Sequence, residues 1–196
     1  MSIVIVDTHC ANLASLKWAI LKLGYTVEVT NNPSIILNAK KIILPGVGTA
    51  REAMKQLTLH NLSEALCICT QPVLGICLGM QLFGSFSSEG GIVKGLNIIN
   101  SSIRVFKKNI YPIPHMGWNT ISIKKKCSLL KGITNMDRFY FVHSYIFPMM
   151  KYTLASTYYG EDFSSIIHFN NFYGVQFHPE KSGVVGSIFL RNFLEL

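Results

Sequence analysis

Three residues at two distant places in the chain have the types and spacing for acyl-transfer chemistry. Cys77 lies at the centre of GICLG at 75–79, the cysteine version of a nucleophile turn in which flanking glycines permit a sharp strand-to-helix bend. His178 and Glu180 lie in VQFHPE near the other end of the chain. Pro179 keeps His178 extended, so both side chains project to one side and the carboxylate can orient the imidazole. The pattern predicts a thiolate nucleophile, an acid–base imidazole and an orienting anion.

Each motif alone has a plainer interpretation. A cysteine in an apolar run is usually a small buried hydrophobic residue, and the side chains of a His-Pro-Glu loop are usually solvated. We favour catalysis because the two motifs supply complementary parts of one device. His143 in VHSY is a competing base, but no carboxylate follows it. We therefore assign His143 to the pocket wall or to the scaffold.

Acyl transfer also requires backbone N–H groups aimed at the developing oxyanion. The amide of Leu78, directly after the nucleophile, is one predicted donor. PGVG at 45–48 ends another strand at the same predicted sheet edge, and Val47 and Gly48 are the predicted source of the second donor. PGVG is equally compatible with an ordinary turn.

The first half of the chain alternates strand and helix patterns. The predicted strands are SIVIVD at 2–7, YTVEVT at 25–30, KKIILPG at 40–46 and PVLGIC at 72–77. Apolar residues spaced by three and four predict a helix that ends near Gly24, and a second helical stretch runs from Thr49 to about Leu66 with a break near 60–61. MQLFGSF at 80–86 predicts a further helix. Such alternation predicts parallel strands with right-handed crossovers.

Beyond about Gly90 the pattern changes to short strands separated by turns. The runs are SIRVF at 102–106, WNTISI at 118–123, DRFYFVHSY at 137–145, YTLASTYY at 152–159, SSIIHF at 164–169 and FYGVQFH at 172–178. Asn170-Asn171 predicts a hairpin turn, and the segment from Gly183 predicts a closing helix. The predicted fold class is α/β, a mixed, largely parallel central sheet flanked by helices with an antiparallel extension, in one domain over residues 1–196. Such sheets bind ligands at the carboxyl ends of their strands.

Composition narrows the class of protein. Hydrophobic residues make up 49% and charged residues 14% of the chain, which is typical of a packed globule. No apolar stretch reaches the roughly 18 residues of a membrane span, and MSIVIVD lacks the basic start of a signal peptide, so we expect a cytoplasmic protein with no membrane contact.

The five cysteines show neither a disulfide framework nor metal-ligand spacing. We expect no metal, and we expect Cys67 and Cys69 to be buried thiols.

The net charge of +8 comes from 18 basic and 10 acidic residues. The lysine runs at 107–108 and 124–126 are too short to define a binding stripe, and no aromatic motif of an RNA-binding module accompanies them. We therefore expect solvated lysines and no nucleic-acid partner.

Three motifs resemble those of the class I glutamine amidotransferases in the same order: LPGVG, PVLGICLGMQ and GVQFHPE. The resemblance covers essentially the whole chain. Further segments are similar to the glutaminase subunits of imidazole glycerol phosphate synthases: NL at 12–13, PIPHMGWN at 112–119, YFVHSY at 140–145 and HPEKS at 178–182. DTHCAN at 7–12 and Thr49-Ala50 depart from the family pattern.

The resemblance implies a reaction and a site. Cys77 attacks the side-chain amide of L-glutamine to form a glutamyl thioester and release ammonia, while His178, oriented by Glu180, moves the protons. Residues implied to hold the glutamine are Gly46, Gln81 and the backbone at His143, Ser144 and Tyr145. A peptide flip at PGVG, centred on Val47, is the implied switch. No cofactor is implied.

The resemblance also implies a partner, a (β/α)8-barrel synthase subunit that receives the ammonia in a heterodimer and forms imidazole glycerol phosphate and AICAR in histidine biosynthesis. Residues implied to face it are Asn12, His115, Met116, Trp118, Asn119 and Lys181. Trp118 is the expected anchor, although a core aromatic is equally compatible with the sequence. Two alternatives stay open: a paralogous glutaminase that supplies ammonia for amidating a nucleotide- or surface-sugar precursor, and a noncatalytic regulatory or binding subunit.

Overall fold

A computed structural model describes residues 2–8, 12–107 and 111–196. Two features of the sequence lie outside the described residues. They are the interior of DTHCAN, including Cys10, and Lys108, one of the lysines predicted to be solvated. The strands are β1 (Ile3–Val6), β2 (Glu28–Thr30), β3 (Lys41–Gly46), β4 (Val73–Cys77), β5 (Gly84–Ser87), β6 (Val93–Lys94), β7 (Ile99–Val105), β8 (His115–Thr120), β9 (Ser122–Ile123), β10 (Arg138–His143), β11 (Tyr145–Ile146), β12 (Thr153–Tyr158), β13 (Asp162–Phe169) and β14 (Phe172–Val175). The helices are α1 (Leu13–Lys22), α2 (Pro33–Leu37), α3 (Ala50–Leu59), α4 (Leu62–Ile68), α5 (Leu78–Gln81) and α6 (Gly183–Leu194), with 3₁₀ turns at Ser128–Leu130 and Pro179–Lys181.

The central sheet has eight strands in the order β2-β1-β3-β4-β14-β13-β12-β9. The first five run parallel, and the last three continue the sheet antiparallel. A four-stranded sheet, β11-β7-β5-β6, and the pair β10-β8 complete the described strands. The predicted α/β fold with an antiparallel extension is confirmed. Cys77 and the end of β14 meet at one sheet edge because β4 and β14 are parallel neighbours.

The parallel strands are buried on both faces, as continuous apolar runs predict. Alternate residues of β1 enter different cores: Ile3 and Ile5 face α1 and α6, whereas Val4 and Val6 face α2, α3 and α4. Burial on both sides leaves each strand little freedom to shift its register, because a slip of one residue would exchange the two faces. The positions of the strand ends are therefore set by the core.

Several local predictions are confirmed. Gly24, with φ of 89°, follows α1 in the left-handed conformation typical of a helix end. Asn170, with φ of 53°, and Asn171 form the turn between β13 and β14. The break between α3 and α4 lies at 60–61.

Two local predictions are wrong. MQLFGSF does not form a helix beyond Gln81: α5 has four residues, and Gly84–Ser87 form β5, which pairs in parallel with β7. Pairing with a distant strand overrides the local preference, since helix propensity is a weak prior. Cys69 is buried as predicted, but Cys67 is exposed.

Two glycines let the nucleophile turn pack against its neighbours. A Cβ at Gly79 would lie 1.8 Å from the Leu44 carbonyl oxygen, and one at Gly75 would lie 2.7 Å from the Met80 backbone. Both distances are far below van der Waals contact, and the atoms in the way are backbone. Only glycine fits at these two positions.

Gly79→Ala should therefore destabilise the fold by about 3 kcal/mol or more, because backbone must move to admit the methyl group. The matched variant is Gly24→Ala, at a glycine with positive φ where an added Cβ would have no atom within 4 Å. There only the left-handed backbone is penalised, by about 1–2 kcal/mol. Urea unfolding of both variants measures the difference. Equal losses would contradict the close-approach argument.

Candidate active site

Cys77 ends β4 in a strained conformation. Its φ and ψ are 54° and −111°, outside the regions that L-residues normally populate. Residue 77 pairs with Gly46 of β3, and Ile76 pairs with Val175 of β14, so neighbours on both sides hold the strand end. The side chain is 7% exposed. Its Sγ lies 3.7 Å from the Val142 carbonyl and 3.7 Å from Gln176 Nε2.

His178 and Glu180 form a buried pair as the sequence predicts. The His178 Nδ1 lies 2.8 Å from Glu180 Oε1, with side-chain exposures of 4% and 6%. Pro179 starts the 3₁₀ turn that brings the carboxylate back to the imidazole. Ser182 fixes this turn, because its hydroxyl donates to the His178 carbonyl at 2.7 Å and accepts from the Tyr140 amide at 3.0 Å.

The second ring nitrogen of His178, Nε2, is the one that the Glu180 carboxylate leaves free. Among the described residues, Nε2 is buried without a hydrogen bond of ordinary length, yet Cys77 is close enough to influence its ionisation. Burial lowers the pKa of His178, but the interactions with Cys77 and Glu180 outweigh it and raise the pKa to about 10. The imidazole is therefore protonated at neutral pH and is poised to act as an acid toward a group bound between Sγ and Nε2.

A cavity of about 300 Å³ opens beside Cys77, at the small end of the range for small-molecule sites. Residues that line it are Val47, Gly48, Cys77, Leu78, Gln81, Glu89, Pro114, Val142, His143, Ser144, Tyr145 and His178. The structure thus brings the predicted oxyanion and glutamine-holding residues together, with one exception. Gly46 lies behind the cavity, where a Cβ would be 2.9 Å from the Leu78 Cβ, so its place in the fold is that of a spacer under the turn.

The PGVG loop is held at both ends. Gly46 belongs to β3, and Thr49 caps α3 by accepting from the Glu52 amide. Glu89 accepts from the Ala50 amide at 2.7 Å. Between these anchors Gly48 has a φ of 87°, a conformation that glycine adopts at low cost. Both ends of the loop are therefore held by neighbouring elements. Gly48, the residue that can change its backbone conformation at the lowest cost, lines the cavity.

Two polar residues of the site were missed from the sequence. Gln176 is fully buried, and its Nε2 is the donor that reaches Cys77. The same alternation that pairs His178 with Glu180 places Gln176 on the side of His178, so this residue could have been found. Glu89 lies in the SSEGG turn, where its sequence surroundings resemble any solvated loop.

The residues of β8 that were predicted to meet a partner lie on two different faces, because successive side chains of a strand point to opposite sides. Met116 and Trp118 are 62% and 53% exposed, whereas His115 is 3% exposed and lies beneath that face. The interface prediction is therefore corrected at His115. Asn119 also turns inward, toward the Nε2 of His115 at 3.3 Å. Trp118 is not a core aromatic.

The outer face continues across β10 to the 3₁₀ turn at Pro179–Lys181. Trp118 pairs with Tyr140 in register, and their ring centroids are 6.0 Å apart. The exposed Lys181 places its Nζ 5.9 Å from the Tyr140 ring. Asn12 is exposed and caps α1, where its side chain accepts from the Ser15 amide at 3.4 Å.

Within residues 2–8, 12–107 and 111–196, no three His, Cys, Asp or Glu side chains are grouped so as to hold a metal ion. Over the same ranges, none of the helices has the length and apolar character needed to cross a membrane. The lysines at 124–126 are exposed, as predicted.

Residues 4–196 match the family model described as Glutamine amidotransferase class-I. A protein of Buchnera aphidicola (subspecies Schizaphis graminum) is 55% identical over 197 residues, and one of Blochmanniella floridana is 53% identical over 196 residues. Both alignments cover 100% of each chain, and both proteins are named imidazole glycerol phosphate synthase subunit HisH. The predicted family is confirmed.

Solved structures agree on the fold. A crystal structure of a putative GMP synthase subunit from Thermoplasma acidophilum has a TM-score of 0.78 and 18% identity, covering 100% of this chain and 92% of that one. At this identity the likeness bears on the fold alone.

His178 makes the stability depend on pH in a defined direction. Its pKa is raised from 6.5 to about 10 in the folded protein, so the folded state keeps a proton that the unfolded chain releases above pH 6.5. The resulting stabilisation is complete below pH 6.5 and is lost as the pH rises through about 10. The free energy of unfolding should therefore fall more steeply over this window in the parent than in His178→Asn.

Urea unfolding at a series of pH values measures this difference. Glu180→Gln is the matched control, because it keeps the imidazole and removes one cause of the raised pKa. Its slope should lie between those of the parent and His178→Asn. Parallel curves for all three proteins would contradict the assigned ion pairing.

Proposed function

The chain belongs to the class I glutamine amidotransferases, and we propose that it is the glutaminase subunit of an imidazole glycerol phosphate synthase, with Cys77, His178 and Glu180 as its catalytic triad. The observation that carries this proposal is the strained, buried cysteine beside a buried His–Glu pair at a small cavity. Full-length relatives above 50% identity support the histidine-pathway assignment over the sugar-precursor paralogue.

The first half of the reaction releases ammonia. The Cys77 sulfur attacks the side-chain carbonyl carbon of glutamine, and the Leu78 amide and a PGVG amide at Val47 or Gly48 donate to the oxyanion. When the C–N bond breaks, the protonated His178 donates its Nε2 proton to the leaving nitrogen, so ammonia departs and a glutamyl thioester remains. The raised pKa of His178 keeps that proton available, and Glu180 holds the ring in place.

The second half restores the enzyme. Neutral His178 now accepts a proton from a water molecule as its oxygen attacks the thioester carbonyl carbon. The tetrahedral intermediate collapses, the C–S bond breaks, and glutamate leaves. The sulfur leaves the carbonyl carbon, and His178 keeps the proton that it took from water, which replaces the proton it gave to ammonia.

The cavity also has groups for the amino-acid end of glutamine. Both amide hydrogens of Gln81 are engaged, by the Tyr145 carbonyl at 2.8 Å and Gln176 Oε1 at 3.0 Å, so Gln81 can meet the substrate only through its Oε1, an acceptor. Glu89 is the acidic residue of the lining. We assign both to the α-ammonium group of glutamine, and the backbone at Ser144 and Tyr145 to its carboxylate end.

A barrel-shaped synthase subunit is the proposed partner, consistent with relatives that are named as subunits. The face formed by Met116, Trp118, Tyr140 and Lys181 suits it, because Lys181 directly follows the catalytic Glu180 in the same 3₁₀ turn. Docking there would place the synthase one turn from the site where ammonia is released. We further propose one domain over residues 1–196 and a cytoplasmic location, since the described cysteines are free thiols.

Cys77→Ser should lower glutamine hydrolysis by at least about 10³-fold, because removing an activated nucleophile disables the whole triad. Ammonia release from glutamine, with the cognate synthase present and absent, measures this. Cys67→Ser is the matched control: this thiol is exposed and lies outside the cavity, so full activity is expected. Equal rates for the parent and Cys77→Ser would favour the noncatalytic alternative.

Trp118→Ala should weaken binding of the synthase by about 2 kcal/mol, or roughly 30-fold in Kd, because a large aromatic side chain anchors the proposed face. Calorimetric titration of the purified synthase measures the change. Leu59→Ala is the control, since Leu59 is 67% exposed at the far end of α3. Co-purification with a synthase acting on a sugar precursor, and stimulation by its acceptor, would instead support the paralogous function.

A further inference from the structure

A chain of hydrogen bonds runs beneath the partner face to the wall of the cavity. His143 Nδ1 lies 3.0 Å from the Tyr145 carbonyl oxygen. His143 Nε2 lies 3.0 Å from His115 Nδ1, and His115 Nε2 lies 3.3 Å from Asn119 Nδ2. Both nitrogens of each imidazole are therefore engaged. Neither ring is needed for the proton transfers assigned to His178.

The groups at the two ends of this chain determine which atom donates and which accepts in each of its hydrogen bonds. At the cavity, a carbonyl oxygen can only accept, so His143 must carry its proton on Nδ1 and accept at Nε2. His115 must then donate from Nδ1 and accept at its own Nε2. At the other end, Asn119 Nδ2 also donates to the Tyr158 carbonyl at 3.0 Å, and its Oδ1 accepts from the Thr120 amide at 2.8 Å. These bonds independently fix the Asn119 amide as a donor to His115.

Aromatic walls hold both rings and exclude water. His115 is sandwiched, with ring centroids 4.0 Å from Tyr159 and 4.8 Å from Phe141. His143 lies 5.3 Å from Phe106 and 5.0 Å from Phe163. Such enclosure leaves each ring few alternative orientations.

This enclosure also favours uncharged rings. Burial lowers the pKa of His115 to about 4. For His143, burial and then the charge of His115 outweigh the hydrogen bond to Tyr145 and lower the pKa to about 3. Both rings are thus neutral at pH 7, as the one-donor, one-acceptor pattern requires.

The chain continues into the substrate site through one shared acceptor. The Tyr145 carbonyl accepts from His143 and also from Gln81 Nε2 at 2.8 Å. Gln81 Nε2 further donates to Gln176 Oε1 at 3.0 Å, which leaves Gln176 Nε2 directed to the Cys77 sulfur. The Tyr145 carbonyl and Gln176 Oε1 together therefore set the orientation of the Gln81 amide, and so of its Oε1.

We propose that His115 and His143, each as the Nδ1–H tautomer, are positioning residues for glutamine: they fix the Tyr145 carbonyl, which orients the Gln81 amide toward the substrate. This inference rests on the proposed glutaminase function. The ring nitrogens of both imidazoles are engaged by Tyr145, by each other and by Asn119, so neither ring has a nitrogen to offer to the reacting amide. Their loss should therefore affect binding of the amino-acid end of glutamine more than the chemical step.

Replacing His115 tests the role. His115→Phe keeps an aromatic ring between Tyr159 and Phe141 but removes the donor to His143. We expect KM for glutamine, measured with the synthase present, to rise about 10-fold, as for loss of one buried hydrogen bond, with kcat within about threefold of the parent. His115→Asn retains an amide donor near the position of Nδ1 and should restore most of the parent KM.

His168→Phe is the matched control. His168 stacks on Tyr173 near the Asn170 turn, at the edge of the sheet opposite Cys77, and the variant should keep the parent KM. A parent-like KM for His115→Phe, or no recovery with His115→Asn when both variants are folded by circular dichroism, would overturn the proposal.

Nitrogen-15 NMR of the parent protein tests the tautomers without any variant. With labelled histidine, His115 and His143 should each show a protonated Nδ1 and a bare Nε2 at pH 7. A proton on Nε2 of either ring, or a doubly protonated ring, would refute the proposal. This measurement does not depend on activity, so it separates failure of the positioning role from failure of the proposed glutaminase function, which would show as no hydrolysis by the parent.

Discussion

The site depends on the strained backbone at Cys77, with φ of 54° and ψ of −111°. A conformation of this kind costs on the order of 1–3 kcal/mol and persists only where the surroundings impose it. Here β3 and β14 hold the strand end on both sides, and glycines at 75 and 79 admit backbone where any Cβ would collide. The cost of the strain is offset by a core that buries the parallel strands on both faces.

The second constraint is electrostatic. His178 is buried, which alone would keep its imidazole neutral, and it is charged because Glu180 and Cys77 flank it. Glu180 reaches it only through the 3₁₀ turn that Pro179 begins and that Ser182 ties to β10. The positive charge on His178 beside the sulfur thus depends on the neighbouring groups that the fold places there, because burial alone would leave the imidazole neutral. The buried pair His115 and His143 shows the opposite outcome, because within the described part of the chain the hydrogen-bond partners of the two rings include no carboxylate.

The strand pair β8-β10 links these features. Its outer face carries Met116, Trp118 and Tyr140, and its inner face carries His115 and His143, which pair directly across the two strands. The proposed docking face and the proposed positioning residues therefore belong to the same two-stranded unit. Alternation along β8 is the physical reason that neighbouring residues of one sequence motif serve different purposes.

The sequence by itself determined the family, through motifs that resemble those of known members, and the alternation of strands and helices with a parallel sheet, which follows from apolar periodicity. It also singled out the proposed triad, through glycines that flank a cysteine and a proline between histidine and glutamate. Tertiary structure alone decided the features that depend on distant contacts. MQLFGSF became a short helix and a strand because β7 was available to pair with it, and His115 moved from the predicted surface to the interior because its strand packs that face on Tyr159 and Phe141. The direction of the histidine chain is set by the Tyr145 carbonyl and the Asn119 amide, whose positions no local pattern encodes, since hydrogen-bond partners far apart in sequence meet only when the sheets have packed.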